Sequence, residues 1–180
     1  MKYFIAIILF TLSTYANAVD FQIELGLHDG GDELASVSFT SGSTESINAG
    51  GFLSFSVGLV FDHGDYASRF KYGIKNDSID ATNGSIDWDR NVADALLMYK
   101  VNNDIQIGAG ITYHSNVELS GTGVVSGSVQ FENATGFLLE ADYFWDTKSY
   151  IGLSYTSIDY KTSNTTVDGN SIGLVIGGIF

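Results

Sequence analysis

Ile105-Gln106-Ile107-Gly108-Ala109-Gly110-Ile111-Thr112-Tyr113-His114 is the stretch that decides the fold. Apolar and polar positions alternate without a break, the period of a β-strand whose side chains point to opposite faces in turn. The two faces are unequal in size. One carries Ile, Ile, Ala, Ile and Tyr; the other carries Gln, Gly, Gly, Thr and His. A soluble β-sandwich or lipocalin-like barrel buries its apolar face and needs its polar face to cover the exterior. A face of Gly and Thr is too small for that and suits a narrow lumen, with the bulky face turned to lipid.

The same rhythm recurs on either side. Val19 to Leu27, Leu53 to Phe61, Tyr66 to Ile74, Trp88 to Val101, Thr135 to Trp145, Ile151 to Thr156 and Ser171 to Phe180 all alternate, although Leu96 and Met98 fall on the polar side of theirs. Eight strands result. Their connections alternate too: long polar segments at 29–49, 76–87, 115–133 and 157–170, and turns of three or four residues between the other pairs. An even strand number with short turns at one end and long loops at the other is the anatomy of an outer-membrane barrel. The expected fold is therefore all-β: an eight-stranded antiparallel up-and-down transmembrane β-barrel.

Composition agrees. Of 180 residues 21 are Gly, and there is no Pro or Cys, which excludes disulfide scaffolds, thiolate zinc sites and thiol catalysis. Charged residues are 16% of the chain, against about 25% in a soluble domain. The balance of 21 acidic to 8 basic residues argues against a nucleic-acid partner. Met1-Lys2, the apolar run Tyr3 to Leu12 and Ala16-Asn17-Ala18 have the order of a secretory signal peptide. Residues 1–18 are read as that signal and 19–180 as the barrel domain. Cleavage removes Lys2, leaving 7 basic and 21 acidic residues, a net charge of -14.

The end of the chain, Ile172-x-Leu174-x-Ile176-x-Gly178-x-Phe180, resembles the carboxy-terminal signature of bacterial outer-membrane proteins, whose final aromatic is read by the barrel assembly machinery. Gly178 departs from the bulky residue usual there. Gly30 to Leu34, Ala49-Gly50-Gly51, Thr112-Tyr113-His114 and Leu139 to Tyr143 are similar to stretches of a family of small proteobacterial outer-membrane β-barrel proteins, of the OmpA/OmpX type in fold. The resemblance implies the outer membrane of a Gram-negative bacterium, contact with its lipids and lipopolysaccharide, and a monomer. It supplies no reaction, cofactor or loop ligand.

If the polar faces line the lumen, Glu24, Arg69, Lys71, Lys75, Arg90, Asp94, Lys100, Glu140 and Asp142 enter it together. Unpaired charges in a low-dielectric lumen cost several kcal/mol, so these groups are expected to form one ion-pair network that fills and rigidifies the barrel. A narrow pore gated by that network is the alternative. Phe61, Tyr66, Tyr99, Tyr143, Trp145 and Phe180, with Trp88, Tyr113 and Tyr155 nearer the other end, are expected in the aromatic girdles. Asp80, Asp87 and Asp89 are candidates for a divalent-cation site. His114-Ser115-Asn116 resembles the His-x-Ser-Asn element of lipid A deacylases, which raises a lipid-modifying hydrolase as a further alternative. The spacing opposes it, because adjacent strand residues point to opposite faces. The function expected is structural or surface-interactive, without catalysis, from a side-chain-filled barrel with long acidic loops.

Overall fold

The unequal faces of the alternating segments produce an inside-out barrel. A computed structural model describes residues 19–39 and 41–180; the signal peptide expected at 1–18 lies outside the described residues. Thirteen strands follow one another: β1 (Val19–Asp29), β2 (Glu33–Ser38), β3 (Thr44–Asn48), β4 (Phe52–Asp62), β5 (Tyr66–Ala81), β6 (Gly84–Lys100), β7 (Ile105–Gly121), β8 (Gly127–Gln130), β9 (Ala134–Phe144), β10 (Ser149–Ser157), β11 (Asp159–Lys161), β12 (Thr166–Asp168) and β13 (Ser171–Ile179). Eight of them, in the order β6-β5-β4-β1-β13-β10-β9-β7, close on themselves through the β6–β7 pairing. Every neighbouring pair is antiparallel. Closure leaves no unpaired edge among these eight, the condition for crossing a bilayer with strands.

Polarity inverts along the barrel axis. In the lower part the outward residues are apolar, including Leu25, Phe55, Tyr72, Leu97, Ile111, Leu153 and Leu174, all more than a third exposed. The inward residues there are Gln22, Glu24, Arg69, Lys71, Glu140 and Asp142, all buried. Above them the arrangement reverses to that of a soluble protein. Ile47, Ala49, Ile79, Trp88, Val117, Ala134, Ile158, Tyr160 and Val167 form a buried apolar cluster inside the upper barrel, with Leu34, Val37, Phe39 and Phe131 packed against it.

The four long connections are thus more ordered than polar loops. β5 and β6 stay paired up to Ala81 opposite Gly84, so residues 76–87 are a hairpin with a tight turn. β7 continues to Gly121 and turns back into β8, while β2–β3 and β11–β12 are small hairpins of their own. One irregularity lets β7 serve both zones. Between Asp89 and Asn91 of β6 the register against β7 jumps from Glu118 to Ser115, and Asn116 takes a φ of 50°, a left-handed conformation that Asn tolerates better than most residues. The extra residue shifts the alternation by one. His114 faces inward below the bulge and Val117 faces inward above it.

Candidate functional site

The lumen holds the chemistry, and it is built in layers. Inward parity brings Arg69 and Lys71 of β5, Glu24 of β1 and Glu140 and Asp142 of β9 to one depth. Arg69 Nη1 donates to Glu140 Oε1 at 3.0 Å and to Asp142 Oδ2 at 2.5 Å, and its Nη2 donates to Gln106 Oε1 at 2.8 Å. Lys71 Nζ bridges Glu24 at 2.7 Å and Glu140 at 2.8 Å, with Asp94 further off at 4.0 Å. Glu24 also accepts from the Tyr150 hydroxyl at 2.6 Å, and Tyr150 in turn accepts from Gln22 Nε2 at 2.5 Å. The Arg69 guanidinium lies 5.2 Å from the Tyr150 ring centroid, within reach of a cation–π contact. Beside this layer Val60, Ala67, Leu96, Met98 and Leu138 pack as a small apolar cluster, Val60 and Leu96 directly opposite Arg69 in the ladders.

Three of the nine charges expected in one network stand outside it. Lys100 is the last residue of β6, so it reaches the short-turn mouth and pairs with Asp62 at 2.6 Å, half in solvent. Partial burial pushes the Asp62 carboxyl up, but the Lys100 ammonium and the Gly64 amide outweigh it and hold the group below the ordinary carboxylate range. Lys75 and Arg90 lie above the carboxylate layer and make no ion pair among the described residues. Lys75 Nζ reaches only Ser171 Oγ, at 3.3 Å. Arg90 donates to the Gly51 carbonyl and stacks on Trp88, 4.9 Å from guanidinium carbon to ring centroid.

Trp88, expected in a girdle, is fully buried instead. It shares inward parity with Arg90, packs edge-on against Phe131 and Tyr160, and donates its Nε1–H to Ala49 O at 3.0 Å. Tyr66, Tyr99, Tyr113, Tyr143, Trp145, Tyr155 and Phe180 are exposed on the outside, Tyr66 and Tyr99 as a cross-strand pair. Phe61 leans edge-on against Phe70. Ile172, Leu174 and Ile176 also face outward, and Phe180 exchanges backbone hydrogen bonds with Phe21 of β1.

Asp80, Asp87 and Asp89 sit along one hairpin, opposite Ser85, Ser78 and Asn76 in the β5–β6 ladder. Asp87 accepts from Ser85 Oγ. Among the described residues no group of three or more acidic or histidine side chains converges as a metal site would require. His114 is buried, with Nδ1 2.6 Å from the Tyr160 hydroxyl and Nε2 3.0 Å from Thr112 Oγ1. Both ring nitrogens are therefore occupied by residues other than Ser115.

The uncharged members of the lumen, Gln22, Gln106, Tyr150 and Tyr160, carry no charge to mark them, yet the strand parity that singles out Glu24 or Glu140 also points Gln22, Gln106 and Tyr150 inward. Tyr160 gives no such signal, because it belongs to a connection.

No family model matches the sequence, and no curated protein is similar to it. Solved structures do match. The attachment invasion locus protein Ail of Yersinia pestis is 11% identical, with a TM-score of 0.53 over 90% of this chain and 97% of that one. The same protein in complex with the heparin analogue sucrose octasulfate matches at 10% identity and a TM-score of 0.52, over 90% and 97%. Neisserial surface protein A matches at 12% identity and a TM-score of 0.49, over 89% and 94%. At these identities the likeness concerns the fold. Combined with the exposed apolar belt around a closed ring of strands, the likeness to Ail shows that the chain folds as an eight-stranded outer-membrane β-barrel of the OmpA/OmpX type.

Proposed function

We propose that the protein is a closed, non-conducting, monomeric surface barrel whose ordered acidic cap meets partners outside the cell. The observation that carries this reading is the double closure of the lumen. The ion-paired layer of Glu24, Arg69, Lys71, Glu140 and Asp142 fills the membrane zone, and the apolar cluster around Trp88 and Tyr160 fills the mouth above it. An ion crossing the lumen would have to break the first and cross the second. A catalytic role finds no support in His114, whose ring is engaged by Tyr160 and Thr112.

The cap's charge narrows the partner. Of the 21 acidic residues, twelve fall in residues 29–48, 76–89, 115–133 and 157–170, where Lys161 is the only base. A polyanion such as sucrose octasulfate, found on the barrel of similar fold, is repelled by such a surface. The fitting partners are cationic, or are lipopolysaccharide phosphates reached through bridging divalent ions. Planar-bilayer recordings of the refolded protein test the closed lumen: a flat baseline is expected, and discrete conductance steps refute it. Binding of a cationic against an anionic polypeptide to whole cells displaying the protein tests the cap; equal retention of both would refute the electrostatic part.

A further inference from the structure

The cations facing the lumen divide into two kinds. Arg69 and Lys71 hold all of its ion pairs among the described residues, whereas Lys75 and Arg90 hold none. Yet Lys75 and Arg90 are direct partners across the β5–β6 ladder, both inward, 5% and 2% exposed. Like charges directly opposite destabilise a sheet, and a buried cation without a counter-ion is among the costliest groups a fold can hold. An ammonium has three protons to donate, and Lys75 spends them on one long contact to Ser171. Arg90 leaves Nε and Nη1 without a partner.

Two further orphans lie close by. His28 Nδ1 and Ser154 Oγ are both buried and unpartnered, and they flank Gly173: a Cβ on that glycine would stand 2.3 Å from the first and 2.6 Å from the second. His28 Nε2 lies 2.8 Å from Ser54 Oγ. With the serine as donor, the imidazole carries its proton on Nδ1, as an N–H with nothing to receive it. Lys75, His28 and Ser154 all line one cavity of about 40 Å³, room for a few water molecules or one small ion. Glu24, Asp94 and Glu140 on its lower wall are drawn toward Lys71, at 2.7, 4.0 and 2.8 Å. Of the under-used groups facing the cavity, Asp94 Oδ1 is an unpartnered acceptor, and against it stand three donors, the Lys75 ammonium, His28 Nδ1 and the Ser154 hydroxyl.

We propose that this chamber binds one small inorganic anion of the chloride class. The anion is received by the Lys75 ammonium, His28 Nδ1–H and the Ser154 hydroxyl, and Arg90 across the ladder adds the second positive charge. Glycine at 173 keeps the space open.

Bromide is the probe. Crystals of the protein refolded in sodium bromide should show one anomalous peak within contact of Lys75 Nζ; water alone in the cavity overturns the proposal. In solution, the urea midpoint of the wild type should rise when bromide or chloride replaces gluconate at equal ionic strength. That rise should vanish in Lys75→Met and shrink in Ser154→Ala. The serine variant keeps every charge and answers the question if the lysine variant fails to insert. A salt effect of unchanged size in the variant that folds overturns the assignment.

Discussion

Replacing Arg69 with Met removes one of the two cations that tie β5 to β9, and the structure apportions the damage. Glu140 keeps Lys71 at 2.8 Å, so it remains compensated. Asp142 does not: Arg69 is its one ion-pair partner among the described residues, at 2.5 Å, and its Oδ1 has no hydrogen bond to begin with. Removing one member of a buried pair costs about 3–5 kcal/mol, because the other is left charged and unsolvated. Most of that loss is expected at Asp142. Removing both charges avoids it, so Arg69→Met/Asp142→Asn should recover the greater part. The assay is urea unfolding in lipid vesicles, followed by the faster migration of folded barrel on unheated gels. A single variant within about 1 kcal/mol of wild type would refute the argument, since the buried pair would then be contributing far less than such pairs do. A double variant no more stable than the single one would refute it equally, by showing that the loss did not lie in Asp142.

Three further outcomes are expected. Trp88→Ala empties the centre of the upper cluster, where the indole is fully buried, hydrogen-bonded to Ala49 and packed on Phe131 and Tyr160. It should cost about 3–5 kcal/mol and expose the cap to protease while the membrane strands stay protected, as limited proteolysis in vesicles can read. Gly73→Ala places a methyl 2.0 Å from the Phe55 carbonyl; backbone cannot swing aside as a side chain can, so a loss of about 1–3 kcal/mol should appear in the same unfolding assay. Asp62→Asn removes the pair with Lys100 at the short-turn mouth. Because the folded carboxyl titrates below its usual value of 3.8, its contribution is present at neutral pH and lost as the pH falls through the lowered value. The variant should fall short of wild type by less than about 1 kcal/mol at pH 7, with the gap closing in acid; a gap that widens in acid would show the sign to be wrong.

The barrel is legible in the sequence because lipid and lumen impose the same two-residue period on every strand, and Ile105 to His114 obey it perfectly. The same parity gives the depth-matched set of Arg69, Lys71, Glu140 and Asp142. What parity does not give is axial position. Lys100 carries inward parity with Asp94, but it stands at the end of the strand, where inside and outside no longer differ, so it pairs with Asp62 in partial solvent. Trp88 illustrates the converse. Tryptophan near a strand end reads as an interfacial anchor, yet here the strand runs on to Gly84, and the ring faces a second core that polar-looking connections conceal. Those connections hide their order because their apolar residues are spaced singly: Ile47, Ile79, Val117 and Val167 come from four different loops. Only the closed ring below brings them together. The Asn116 bulge conceals the rest, since a window of alternation laid across it averages to nothing.

The level at which apolar and polar faces change places has a mechanical meaning. Below it the barrel wants hydrocarbon outside; above it the exterior is rich in acid and the interior is sealed with Trp88 and its neighbours. The molecule therefore cannot ride higher or lower in the bilayer without placing carboxylates in lipid or Leu, Ile and Tyr in water. Any difference between the height of its lipid-facing belt and the thickness of the membrane must be taken up by the surrounding lipids. A closed ring of strands of this kind acts as a fixed gauge against which the nearby leaflet thins or thickens.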